Sequence, residues 1–155
     1  MKNIVETLIK KKQTISTMES CTGGQLANEI TNIPNASMVF KFGAVTYSNE
    51  FKTKMNVSNE IITKYGVYSE EVAKEMSYQI NKYANSDYGV GITGKLMKQD
   101  NNNLSSEENI VYYAIYVRKN KMYHCGKVVV TSNDRTINKK KVVEIVIEKL
   151  RSVIE

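Results

Sequence analysis

The chain has 155 residues, 41% of them apolar and 25% charged, with a formal net charge of +6. That length supports one hydrophobic core, and no apolar run approaches the ~18 residues that cross a bilayer, which sets membrane-spanning classes aside. Two cysteines, Cys21 and Cys125, are too few for a disulfide framework, and the single histidine, His124, leaves no ordinary zinc ligand set; no metal and no cofactor are expected.

The opening segment, MKNIVETLIKKKQT, breaks its apolar positions with Glu6 and lysines, unlike a signal peptide, so a cytoplasmic location is expected. Its Ile4, Val5, Leu8 and Ile9 recur at helical spacing and predict a helix over 3–12. QTISTME then reads as a strand and 22–31 as a second helix, with the only proline, Pro34, in the loop beyond. MVFKFGAVTYS (38–48) is rich in β-branched and aromatic residues and predicts a second strand, followed by a short helix over 49–55. Ser58 is placed to cap a helix ending at Gly66, and Ser69 a longer one with Glu70 and Glu71 in its first turn. In the latter, Val72, Met76, Ile80 and Tyr83 form the expected core face.

DYGVGITG (87–94) predicts a third strand, after which KLMKQDNNNLSSEEN (95–109) is polar and carries no periodicity. IVYYAIYV and MYHCGKVVV flank a turn containing Asn120 and predict a hairpin. A final helix over 136–154, capped by Asn133 or Asp134, is expected to bury Ile137, Val143, Ile147 and Leu150. This alternation predicts an α/β fold, a mixed sheet of about five strands covered by helices on both faces, in a single domain over 1–155. Lysine supplies nearly all the positive charge. The runs Lys10–Lys12 and Lys139–Lys141 read as solvated helix faces, so no nucleic-acid partner is expected.

The stretch TMESCTGGQLANEI stands apart, because a strand turns into a helix through a corner containing Ser20, Cys21, Thr22, Gly23 and Gly24. Two glycines there cost about 1 kcal/mol each in a helix interior, so a special backbone geometry is wanted. Such a corner exposes its side chains and aims backbone N–H groups at whatever sits there. Ser20 and Cys21 are candidate nucleophiles, and Cys21 near a helix start would have a lowered pKa. Equally, Ser20 or Thr22 could cap the helix and Cys21 fill the core. The base for a serine is open among nineteen lysines.

ESCTGG, GAVTYSNEFK, YGVYSEEVA, GVGITG and NDRTINKKK occur in this order, and together they resemble the CinA C-terminal domain family. That family includes bacterial nicotinamide-nucleotide amidohydrolases. The resemblance implies a three-layer α/β/α sandwich and hydrolysis of the carboxamide of nicotinamide mononucleotide to nicotinate mononucleotide and ammonia. It implies Ser20 as nucleophile, Tyr47 and Lys52 as its partners in a Ser–Lys type site, and Thr93, Gly94 and Arg135 as substrate-binding residues. The backbone of Thr22, Gly23 and Gly24 would receive the developing oxyanion. A nucleotide is the implied small-molecule partner, and a homo-oligomer is expected from the tyrosine-rich hairpin and from family habit. The pyrophosphatase-like domain that often precedes this one is not in the chain, so a stand-alone form is expected.

One motif departs from the family. Members continue the ITG strand end into a glycine- and proline-rich loop of the form GIAGPGGG, whereas this chain reads ITGKLMKQDNNNLSSEEN. Lys95, Leu96 and Met97 are expected to crowd the pocket, while Lys95 or Lys98 could serve a phosphate. The alternative function is therefore a family member that binds a nucleotide or partner without turnover.

Overall fold

The computed structural model describes residues 1–97 and 109–154. Lys98, Asn101–Asn103 and most of the polar segment after Gly94 lie outside the described residues. Five strands, β1 (Ile15–Glu19), β2 (Phe40–Val45), β3 (Tyr88–Gly94), β4 (Ile110–Val117) and β5 (Met122–Val129), form one sheet in the order β2-β1-β3-β4-β5. The first three are parallel, and β4 and β5 add antiparallel to β3. Strands β1 and β3 are buried along their whole length, as central strands covered on both faces must be.

Helices α1 (Lys2–Lys11), α2 (Gln25–Thr31) and α6 (Arg135–Ile154) cover one face. There Ile4, Leu8, Leu26, Ile30, Val142, Val146 and Leu150 pack against Ile15, Val90, Ile92 and Ile115. Helices α4 (Asn59–Tyr65) and α5 (Glu70–Ala84) cover the other face, where Ile62, Val72, Met76 and Ile80 meet Met18. Short α3 (Asn49–Lys54) follows β2. This is the expected three-layer α/β/α sandwich on a mixed five-stranded sheet. Helix α5 presses directly on β3. A Cβ on Gly91 would lie 2.3 Å from the Ala73 carbonyl oxygen, and one on Gly89 would lie 2.1 Å from that of Ser77.

Several boundaries differ from expectation for physical reasons. The second helix starts at Gln25 rather than Thr22, because Gly23 and Gly24 both take left-handed conformations, φ 63° and 92°. Strand β2 is shorter than 38–48, since residues 36–38 form a 3-10 turn. Tyr83 is 63% exposed and lies against Phe42 instead of entering the core. Ile137 is 57% exposed, while the buried stripe of α6 begins at Asn138. The predicted caps at Ser58 and Ser69 accept the Ile61 and Val72 amides, and Asp134, not Asn133, receives the amides of Thr136 and Ile137. Among the described residues no helix is long and apolar enough to cross a membrane.

Candidate active site

The three parallel strands end side by side, and β1 lies between strands reached by connections leaving in opposite directions. Such a switch point opens a crevice beyond the strand C-termini. Two hydrogen bonds continue the ladder past β1: the Thr46 amide donates to the Glu19 carbonyl at 2.8 Å, and the Ser20 amide to the Ile92 carbonyl at 3.0 Å. Ser20 is thereby pinned between the ends of β2 and β3.

Successive residues of a strand face opposite ways. Glu19 points to the α2 side and is fully buried. Its carboxylate accepts the Thr22 hydroxyl at 2.6 Å and the Leu26 and Ala27 amides at 3.1 and 2.9 Å. Glu19 is therefore the cap of α2, a role the sequence reading missed. Ser20 faces the other way, toward α3.

Helix α3 is fixed by Ser48, whose hydroxyl accepts the Phe51 amide at 3.2 Å. It carries Lys52 inward to 1% exposure, and the Lys52 Nζ lies 3.1 Å from Ser20 Oγ and 2.8 Å from the Thr46 carbonyl oxygen. Neither partner is charged. Burial lowers the Lys52 pKa from its ordinary value to about 8. A buried amine this close to a 6% exposed hydroxyl can exchange a proton with it near neutral pH. Cys21 behaves oppositely to expectation: burial pushes its thiol up to about 12, so it is not an activated thiolate.

A cavity of about 350 Å³ opens beside this pair, lined by residues that include Ser20, Tyr47, Asn49, Lys52, Lys95 and Arg135. That volume is in the range of small-ligand sites, about 300–1,000 Å³. Gly94 also lines it, together with Val67, Tyr68, Leu96 and Met97. Residues 95–97 all line the cavity, and Leu96 also packs in the core at 1% exposure. Tyr47 is 65% exposed, and its hydroxyl accepts from Arg135 Nη2 at 3.2 Å rather than meeting Ser20 or Lys52.

The remaining predicted residues do not line the cavity. Thr93 is fully buried, and its hydroxyl donates to the Val67 carbonyl at 2.9 Å, holding the 67–68 wall to the end of β3. Thr22, Gly23 and Gly24 are not among the lining residues. The Gly23 amide donates back to the Ser20 carbonyl at 3.0 Å, and the first amides of α2 are taken by Glu19. The predicted oxyanion donors thus do not face the cavity as a set. Cys21 and Asn49 do line it. Asn49 was legible in retrospect, since it sits three residues before Lys52 and shares its helix face. Asn138, also missed, is 1% exposed and donates through Nδ2 to the Leu96 and Ser132 carbonyls, both at 2.8 Å. Among the described residues no cluster of His, Cys, Asp or Glu could hold a metal ion.

The sequence profile of the CinA C-terminal domain matches residues 1–154. A competence-damage inducible protein of Clostridium beijerinckii is 45% identical over 116 residues, covering 74% of this chain and 28% of that protein. A counterpart in Alkaliphilus metalliredigens is 38% identical over 137 residues, covering 88% of this chain and 33% of that protein. The chain thus spans about a third or less of the curated relatives it matches. Among solved structures, the competence/damage inducible protein CihA of Agrobacterium tumefaciens superposes with a TM-score of 0.87 at 26% identity, covering 99% of this chain and 95% of that one. A CinA superfamily protein of Klebsiella pneumoniae gives 0.88 at 23% identity, covering 99% and 94%. With its fold and its motifs in agreement, the chain belongs to the CinA C-terminal domain family.

Proposed function

We propose that this chain is an amidohydrolase that converts the carboxamide of nicotinamide mononucleotide to the carboxylate, releasing ammonia. The observation that carries this reading is the 3.1 Å contact between Ser20 Oγ and the buried, pKa-lowered amine of Lys52 at the edge of a cavity. In the neutral form of Lys52 the contact reverses, and the Ser20 O–H donates to the Nζ lone pair. The Thr46 carbonyl holds one Nζ hydrogen and so aims that lone pair.

An amide is a poor electrophile, so both an activated hydroxyl and a stabilised oxyanion are needed. Lys52 takes the Ser20 proton as Oγ attacks the carboxamide carbon. The resulting ammonium returns that proton to the departing nitrogen, the C–N bond breaks, and ammonia leaves an ester on Ser20. Water then attacks the ester with Lys52 again as base, freeing the carboxylate and restoring the serine. The Cys21 backbone N–H, next in the chain to the nucleophile, and the Asn49 side-chain amide are the groups at the cavity suited to the oxyanion. Arg135, held by Tyr47, suits a bidentate grip on the nucleotide phosphate.

The test is direct. Protein incubated with nicotinamide mononucleotide releases ammonia and nicotinate mononucleotide in equal amounts, and Ser20→Ala abolishes both. Folded wild type that releases neither, yet is thermally stabilised by the nucleotide, replaces this reading with binding without turnover.

A further inference from the structure

The sheet ends on two edge strands, β2 and β5, and they differ in kind. β2 is six residues long and slips in register against β1 between Ile15 and Thr17. Short, irregular edges resist pairing with a further strand. β5 instead runs eight residues in unbroken register with β4 and contains no proline. It is the edge regular enough to accept another strand.

Which groups β5 offers follows from the ladder. In an antiparallel pair, alternate residues bond to the neighbour and the others point away. The Val130 amide donates to the Asn109 carbonyl at 3.0 Å, so by alternation Val128, Gly126 and His124 bond to β4. Tyr123, Cys125, Lys127 and Val129 therefore turn their N–H and C=O groups outward. Lys141 Nζ reaches the Val129 carbonyl oxygen at 3.0 Å, as this parity requires, and that oxygen keeps a second lone pair. The side chains of the same four residues share the α5 face, where Tyr123 lies against Tyr116 and Tyr116 against Tyr78. Tyr123, Lys127 and Val129 are exposed there.

A lone lysine on an edge ordinarily guards it against association. Here Lys127 has acids to meet. The Glu70 carboxylate, at the start of α5, lies against Cys125. Four carboxylates, of Glu60, Glu70, Glu71 and Glu75, share this flank with the ammonium groups of Lys64 and Lys74. Each copy of the chain thus sets a basic strand edge beside an acidic flank, and such a surface is self-complementary under a two-fold axis.

The residues also choose the register. Centring two antiparallel copies on Lys127 sets the two lysines face to face, which is destabilising. Centring on Cys125 runs Val129 opposite the turn residue Lys121. Centring on Gly126 pairs all four outward residues among themselves: Tyr123 with Val129, and Cys125 with Lys127. An aromatic residue then faces a β-branched one, and each Lys127 arrives at the Glu70 beside Cys125. At the axis, Tyr113 lies over Gly126, where a Cβ would come within 2.4 Å of its hydroxyl oxygen.

We infer that β5 is the seam of a homodimer, pairing antiparallel with β5 of a second copy about Gly126 and continuing the sheet across a two-fold axis. The cavity takes no residue from β5. Each site stays whole within its own chain, and the inference is independent of the amidohydrolase reading.

Sedimentation equilibrium of the purified chain tests this. Wild type sediments as a dimer at about 100 µM. Lys127→Pro removes an outward N–H and the cation while sparing the bonds to β4, and it sediments as a monomer with the far-UV circular dichroism of wild type. Lys127→Glu weakens the dimer about tenfold or more, and Glu70→Lys added to it restores most of the loss. Wild type that is monomeric at about 100 µM overturns the inference. So does a dimer that either Lys127 variant leaves intact, which places the interface elsewhere, and so does a loss that Glu70→Lys fails to repair. Should Lys127→Pro not fold, the charge reversal and its rescue decide alone.

Discussion

If Lys52 is the base, the pH dependence of the reaction is dictated by where its amine titrates. With the pKa lowered by burial to about 8, about a tenth of the enzyme carries the neutral amine at pH 7 and about half at pH 8. An unperturbed lysine would be neutral in only about one molecule in three thousand at pH 7, so burial supplies about 300-fold more base. The activity kcat/KM therefore rises about fivefold from pH 7 to pH 8 and only about twofold more by pH 10. Steady-state ammonia release across pH 6–10 reads this directly. Lys52→Met lowers kcat by about 10²–10⁴, and Lys52→Arg does the same, because a guanidinium does not deprotonate.

Stability gives an independent check on the same group. Its folded pKa lies below its unfolded value, so between about pH 8 and 10.5 the unfolded chain binds more protons than the folded one. Stability then rises with pH across that window, and the cost of burying the ammonium is present in full below it. The Tm of wild type should gain on that of Lys52→Met from pH 8 to 10. A flat activity profile between pH 7 and 8, or no relative gain in Tm, refutes the assignment.

Other outcomes follow from the same contacts. Glu19→Gln weakens three charge-assisted hydrogen bonds at the start of α2 and should cost about 2 kcal/mol, seen as a Tm lower by about 4–8 °C; an unchanged Tm contradicts the capping role. Gly91→Ala sets a methyl against the Ala73 carbonyl and should cost about 3 kcal/mol in urea denaturation. A loss under about 0.5 kcal/mol would mean that α5 can move off the sheet. Cys21→Ala should retain most of the ammonia-releasing activity, since a thiol pushed up to about 12 offers no thiolate at neutral pH; loss comparable to Ser20→Ala would move the nucleophile to the sulfur.

The sequence carried the sandwich and the central pair because those depend on local signals. Period-2 and period-3.6 patterns located the strands and helices, Ser58, Ser69 and Gly66 marked helix ends correctly, and Ser20 and Lys52 lay in distinctive motifs. What it did not carry was the direction of side chains at the corner. Nothing local says that two consecutive glycines turn left-handed and delay α2, or that Glu19 takes the Thr22 hydroxyl and the Leu26 and Ala27 amides at the start of that helix. Tyr83 and Ile137 fit a helical stripe but lie near a helix end, where little of the sheet remains to cover them. Asn138 was illegible for a different reason: its partners, Leu96 and Ser132, come from separate segments that only the folded chain brings together.

Glu19 and Ser20 stand next to each other in the chain, and the two-residue repeat of β1 sends the Glu19 carboxylate away from the Lys52 amine. On the α3 side of the sheet, the Glu19 carboxylate would meet Lys52 as a counter-ion and lock it as ammonium. Sent to the α2 side, it is absent from the influences acting on that amine. Slipping β1 by one residue would therefore exchange a proton acceptor for an inert ion pair, even if every strand survived. The alternation of one short strand is the insulation on which the lone pair of Lys52 depends.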